Sequence, residues 1–236
     1  MSSSTGDTVT KPKLLDLFCC DGGASVGYAR AGFEVTGVDI RRRKHYPFRF
    51  IQADALDILA DVDFLRSFDA IVGSPPCQDN SRTKHLRNAQ GKSAGRLSLN
   101  LIPETRSGMV ASGKPYIIEN VEGADLRSPV TLCGSMFKEL RVTDETGVRW
   151  LKRHRIFESN IQLDTPKCDH GSAGVRPLGV YGSMRDNIPS GGQTVRSISE
   201  AQRLMGIDWI PTWSGLKESI PPAYTEYLGR QLLKHV

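Results

Sequence analysis

The feature that most constrains this chain is a series of five short apolar runs, the last four closed by a carboxylate or a proline, with helical stretches between most of them. KLLDLF (13–18), FEVTGVDI (33–40), FRFIQAD (48–54), FDAIVGSPP (68–76) and KPYIIENV (114–121) are the runs. Near-continuous apolar runs of this length read as strands buried on both faces. ASVGYARA, ALDILADVDFLRS and a segment ending near residue 112 carry a helical period between them. Strand–helix alternation of this kind predicts an α/β fold with a mostly parallel sheet covered by helices on both faces. Ligands of such sheets bind at the carboxyl ends of the strands, so the acids and prolines ending these runs are the first candidates for chemistry.

Beyond residue 122 the pattern loosens. RWLKRHRIFES reads as a strand alternating basic and apolar positions, and residues 160–196, rich in Gly, Pro and Ser, read as an irregular insert. SISEAQRLMG has the serines of a capped helix start, and PPAYTEYLGRQLLKHV is an amphipathic helix opened by proline. The expected organisation is a flexible tail at 1–12, an α/β domain from 13–157 and 199–236, and a small loop-rich insert at 158–198. With 236 residues, one domain of this kind is expected. No run approaches the ~18–20 apolar residues of a membrane span. MSSSTGDTVTKP lacks the basic and apolar regions of a secretory signal, so a cytoplasmic location and no membrane partner are expected.

The five cysteines are odd in number, with Cys19 and Cys20 adjacent and no repeated C-x-x-C, which argues against a disulfide framework or a four-cysteine metal site. Cys168 and His170 have metal-ligating side chains, but C-x-H has no paired partner motif, so no metal is expected. The net charge of +5 is unevenly placed. Basic residues cluster in RRRKHYPFR (41–49), at Arg82, Lys84, Arg87, Lys92 and Arg96, and at Arg149, Lys152, Arg153 and Arg155. A solvated face accounts for any one of these clusters, while three together make a polyanionic partner worth weighing.

Two motifs carry chemistry. In DLFCCDGGASVG, Gly22 and Gly23 let the backbone approach a ligand at the junction of first strand and first helix. Asp39 ends the second strand, where an acid can bind ribose hydroxyls, and Asp54 ends the third, where it can accept from an adenine amino group. The plainer reading is a tight turn with two solvent-facing acids. In GSPPCQDNS, Cys77 follows two prolines that hold it on rigid backbone beside a basic loop, which favours the thiolate. A half-buried inert cysteine is the alternative. Glu119 ends the fifth strand, where it can face Cys77 across the sheet.

DLFCCDGGASVGYARAGFEVTGVDI, GSPPCQ, IIENV and RHRIF, followed by SEAQRLMGI and IPPAYTEYLGRQLL, resemble in order and spacing the DNA cytosine-carbon-5 methyltransferases. The resemblance runs from about residue 13 to 234 and lapses in the insert. It implies a Rossmann-like S-adenosylmethionine-dependent methyltransferase fold in a minimal, single-domain form. Phe18, Gly22, Gly23, Asp39, Ile40, Asp54 and Pro75 would then hold S-adenosylmethionine, with Asp39 on the ribose and Asp54 on the adenine. Cys77 would attack carbon 6 of a flipped-out cytosine, Glu119 would hold or protonate ring nitrogen 3, and Arg153 and Arg155 would steady the base. Arg82, Lys84, Arg87, Lys92 and Arg96 would close over the phosphates of double-stranded DNA. The expected protein is a monomer of bacterial or phage-infected cells, of the kind used in restriction–modification.

The chain departs from the family in three places. Cys20 stands where the first glycine of F-x-G-x-G-G is usual, Leu151 where a glutamine often precedes the arginine pair, and Pro221-Pro222 where the closing motif often has Gly-Asn. Only about forty residues remain for target recognition, so a short site of roughly two to four base pairs is expected. Two other functions stay open on the residues alone: methylation of cytosine in RNA, and a catalytically quiet nucleic-acid-binding module on the same fold.

Overall fold

The computed structural model describes residues 10–76, 100–145, 147–171, 176–182, 184, 187–188 and 192–236. Strands β1 (Lys13–Leu17), β2 (Glu34–Asp39), β3 (Arg49–Gln52), β4 (Ala70–Gly73) and β5 (Tyr116–Asn120) fall within the five apolar runs. They lie parallel in the order β3-β2-β1-β4-β5. The sheet then continues with β9 (His154–Ser159), antiparallel to β5, and β6 (Val130–Cys133), antiparallel to β9. The expected mostly parallel α/β sheet is thus present, with an antiparallel edge. Among the described residues, no helix is long and apolar enough to cross a membrane.

Residues of alternate strand positions separate into two cores, as the pleat requires. Leu14, Val72 and Ile117 face one core with Tyr28, Tyr224 and Leu228, while Leu15, Ile71 and Ile118 face the other with Leu59, Ile102 and Met109. The first core is covered by helices Gly23–Ala31 and Pro222–Leu232, the second by Ala55–Ala60, Val62–Arg66 and Ile102–Ser112. The first and last helices approach very closely because Gly27 has no side chain: a Cβ there would lie 2.0 Å from Thr225 Oγ1 and 2.2 Å from the Pro222 carbonyl oxygen. This contact carries the end of the chain back onto the turn that follows β1.

Three expectations are refined by the structure. The helical stretch 55–67 is two helices, because Asp61 leaves the helical conformation and caps the second by accepting from the Phe64 amide at 3.0 Å. RWLKRHRIFES is not one strand: β8 (Gly147–Leu151) and β9 are separated at Lys152 and Arg153 and belong to different sheets. The region read as an irregular insert contributes β10 (Arg176–Gly179), β11 (Asn187–Ile188) and β12 (Gly192–Thr194) to a second sheet, ordered β11-β12-β10-β8-β7, where β7 is Arg141–Asp144. That sheet combines β7 and β8, which precede the arginine motif, with strands that follow it. Ser197 caps the helix Ile198–Met205 by accepting from the Glu200 amide at 3.1 Å, as the serine-rich start predicts.

Candidate active site

The carboxyl ends of β1, β2, β4 and β5 gather the candidate residues. The turn after β1 is tight: Phe18, Cys20 and Gly22 all have positive φ, at 60°, 48° and 84°. Gly22 adopts this conformation freely, whereas Cys20, in the place of a usual glycine, holds a left-handed backbone with a Cβ. Two contacts hold it there. Its amide donates to Asp39 Oδ2 at 3.2 Å, and the Arg43 guanidinium lies 3.6 Å from its Sγ. Burial pushes the Cys20 thiol up to about 12, partly offset by Arg43, so it is no thiolate nucleophile near neutral pH.

Asp39 is buried at the end of β2, and its carboxylate is oriented by the Arg41 amide on Oδ1 at 2.8 Å and by Arg43 on Oδ2 at 2.9 Å. The next residue, Ile40, is 62% exposed, an apolar side chain offered to whatever lies beside that carboxylate. Asp54 caps the helix Ala55–Ala60, with Oδ1 accepting from the Leu56 amide at 2.9 Å. Helix Gly23–Ala31 opens with Gly22, has no side-chain cap and has no acid in its first turn. A helix start without a side-chain cap or an acid favours an anion.

A cavity at the ends of β1, β4 and β5 is lined by Asp16, Tyr28, Ser74, Glu119 and Thr225 among others. Glu119 is buried, and burial raises its carboxyl above the usual range, against the pull of Arg155, a Ser74 hydrogen bond and Arg153. Its Oε1 takes no aligned hydrogen bond, although Arg155 Nε lies 3.0 Å away. Asp16 was not among the expected site residues. It lies on β1, receives the Ser25 hydroxyl, and that hydroxyl in turn accepts from Tyr46 at 3.0 Å. Burial lifts the Asp16 carboxyl to about 7, with Ser25 opposing and Asp39 and Glu119 adding to the rise. The sequence signal was an acid inside an otherwise apolar buried run. Asn120 was also missed: its Nδ2 donates to the Pro75 carbonyl at 3.1 Å and fixes the backbone that leads toward Cys77.

The structure separates the arginine pair. Arg155 reaches Glu119, but Arg153 is fully buried and donates to the carbonyls of Val180 at 3.2 Å, Lys217 at 2.7 Å and Ser219 at 2.9 Å. Arg153, expected to steady the base, spends its donors in this structure on backbone carbonyls. It brackets the second sheet to the C-terminal segment, because the strand break at Lys152 turns it away from the Arg155 face. Cys168 and His170, unpaired in sequence, have Cys133 and His154 beside them in space. Cys77, Arg82, Lys84, Arg87, Lys92 and Arg96 lie outside the described residues.

Residues 12–129, half of the chain, match the C-5 cytosine-specific DNA methylase family, and the chain belongs to that family. It is 29% identical over 131 residues to the Type II methyltransferase M.NgoPII of Neisseria gonorrhoeae, covering 52% of this chain and 37% of that one. It is 31% identical over 160 residues to the Type II methyltransferase M.FnuDI of Fusobacterium nucleatum, covering 64% of this chain and 44% of the relative. These matches thus span less than half the length of both relatives. In fold it is similar to the crystal structure of the S. pombe Dnmt2 methyltransferase, with TM-score 0.53 and 13% identity over 95% of this chain and 99% of that one.

Proposed function

We propose that this chain methylates carbon 5 of cytosine in double-stranded DNA, using S-adenosylmethionine as methyl donor. The observation that carries the reading is the buried Glu119, paired with Arg155 and open to the cavity it shares with Ser74, three residues before Cys77. The residues around the first turn fit the cofactor. The oriented Asp39 carboxylate suits a ribose hydroxyl, the exposed Ile40 an adenine face, and the uncapped helix start an amino-acid carboxylate. Phe18, Gly22, Gly23, Asp54 and Pro75 complete the set. Bound there, the cofactor supplies an electrophilic methyl group.

The chain's own residues then prepare the base. Carbon 5 of cytosine is a poor nucleophile until a thiolate adds across the 5,6 bond. Glu119, whose proton is held by burial, donates it to ring nitrogen 3, which draws electron density from carbon 6 and opens it to Cys77 Sγ. The adduct is enamine-like at carbon 5, which takes the methyl group. A base removes the carbon-5 proton, the Sγ–C6 bond breaks, and Glu119 recovers its proton. Arg155 keeps the Glu119 carboxyl in place. None of this is reachable in a stacked duplex, so the cytosine is flipped out, with the basic residues 82–96 holding the phosphates. The small second sheet offers few base contacts, so the site is short, and the enzyme acts as a monomer in the cytoplasm of a bacterial or phage-infected cell.

Expression in a host that lacks cytosine methylation, followed by bisulfite sequencing, tests this. Methylated cytosines at a short repeated motif are expected. Transfer of labelled methyl groups to RNA but not to DNA would replace the substrate, and a long, strictly required motif would overturn the short-site claim.

A further inference from the structure

Cys133, His154, Cys168 and His170 bring four metal-ligating atoms within 4.8 Å of one another, outside the cofactor and base sites. We propose that they form a structural Zn²⁺ site that fastens the loop entering the second sheet onto the catalytic sheet. Cys133 ends β6 and His154 opens β9, and the two are direct cross-strand partners, so half of the set is fixed by sheet register. The other half arrives on one short loop, Cys168–Asp169–His170, on the way to β10. The ligand atoms are already near metal-bound spacing. Cys168 Sγ lies 3.1 Å from His170 Nε2 and 3.5 Å from His154 Nε2, and Cys133 Sγ lies 3.3 Å from His170 Nε2. A tetrahedral zinc with Zn–S of ~2.3 Å and Zn–N of ~2.0–2.1 Å has ligand–ligand edges of roughly 3.3–3.8 Å. The widest separation here needs about 1 Å of contraction to meet that figure.

The surroundings suit a closed site. His154 presents Nε2 to the cluster while its Nδ1 lies 3.7 Å from Glu122 Oε2, the carboxylate–histidine arrangement that orients a metal-bound imidazole. The Ser135 hydroxyl lies 3.6 Å from Cys168 Sγ, and the Trp150 ring covers His170 with centroids 4.8 Å apart. Two thiolates and two imidazoles neutralise and saturate Zn²⁺, leaving no open position, which makes the role structural. The four residues are spread over 38 positions with no repeated spacing, which is why the sequence alone shows only the C-x-H half.

The test uses the full chain, expressed with zinc in the medium and purified without a histidine tag or chelator. Elemental analysis is expected to find one zinc per chain, and Cys168→Ser and His170→Gln each to lower it to background while far-ultraviolet circular dichroism stays unchanged. Co²⁺ added to chelator-treated protein should give thiolate charge-transfer and tetrahedral d–d bands and quench Trp150 fluorescence, the quenching being lost in Trp150→Phe. Chelation should lower the melting temperature of the wild type and leave that of Cys168→Ser unmoved. A folded wild type with no bound zinc and no cobalt bands would overturn the proposal, as would a Cys133–Cys168 disulfide found by non-reducing mass spectrometry. Metal content is read without any methyl transfer, so this site and the proposed activity fail independently.

Discussion

Replacing Arg153 with methionine should destabilise the fold by ~1–6 kcal/mol, because three buried carbonyl acceptors lose their charged donor. The side chain is fully buried, and burial, helped by the neighbouring charge of Arg155, pulls its pKa from 12.5 to about 10. That lowering opposes the native state by an amount on the order of 3 kcal/mol. Against it stand the three carbonyl acceptors Val180, Lys217 and Ser219, at ~1.5–3 kcal/mol for each bond from a charged donor, roughly 4.5–9 in all. The Tyr181 ring, 5.5 Å from the guanidinium carbon, adds a further favourable contact. The balance favours arginine, and methionine removes it while leaving three carbonyls without their donor. Urea denaturation followed by tryptophan fluorescence measures the loss, and Arg153→Lys should recover only part of it, since an ammonium lacks the planar fork. A stability change below ~1 kcal/mol together with a selective loss of methyl transfer would show that Arg153 serves the base rather than the carbonyls.

Asp16→Asn should flatten the pH dependence of stability. The Asp16 carboxyl is raised from 3.8 to about 7, so its contribution is full below pH ~4 and falls away as pH rises through 7, a total swing of ~4 kcal/mol of which ~3 kcal/mol lies between pH 5 and 8, where urea midpoints would register it. Equal pH slopes in the two proteins would contradict this. Cys20→Gly should raise stability by ~1 kcal/mol in a thermal or urea melt, because glycine takes the φ of 48° without strain. Glu119→Gln should lower kcat by ~10²–10⁴-fold, the range for losing a positioned proton donor. It should leave stability at pH 8 equal or higher, since a buried carboxylate whose pKa burial raises is unfavourable when ionised; a large loss of stability would refute that assignment.

The first half of the fold was legible because parallel strands buried on both faces leave continuous apolar runs, and the acids ending them mark the site edge. Asp39 and Glu119 were found that way, and both are buried at strand ends. Asp16 escaped because the same apolar run that identified β1 concealed its one acid. Arg153 and Arg155, two apart, share a face only if one strand runs through both; the break at Lys152, where its amide donates to the Leu178 carbonyl at 2.8 Å, undoes that. Cys133 and His154 are invisible as a pair in sequence, since strand register alone joins them. The second sheet was illegible for a related reason: its strands are two to five residues long, and its two local hairpins are joined into one sheet only by the parallel pairing of β10 with β8 and β12.

In the proposed mechanism Cys77 Sγ bonds to carbon 6 of a flipped cytosine before the methyl group arrives. A duplex carrying 5-fluorocytosine at the mapped site tests it directly, because fluorine cannot leave as the carbon-5 proton does and the adduct persists. A denaturant-stable complex of chain and DNA is expected, formed only with S-adenosylmethionine, cross-linked through Cys77, and absent in Cys77→Ser. Methyl transfer that proceeds in Cys77→Ser, or a wild type that methylates ordinary DNA yet gives no such complex, would contradict it.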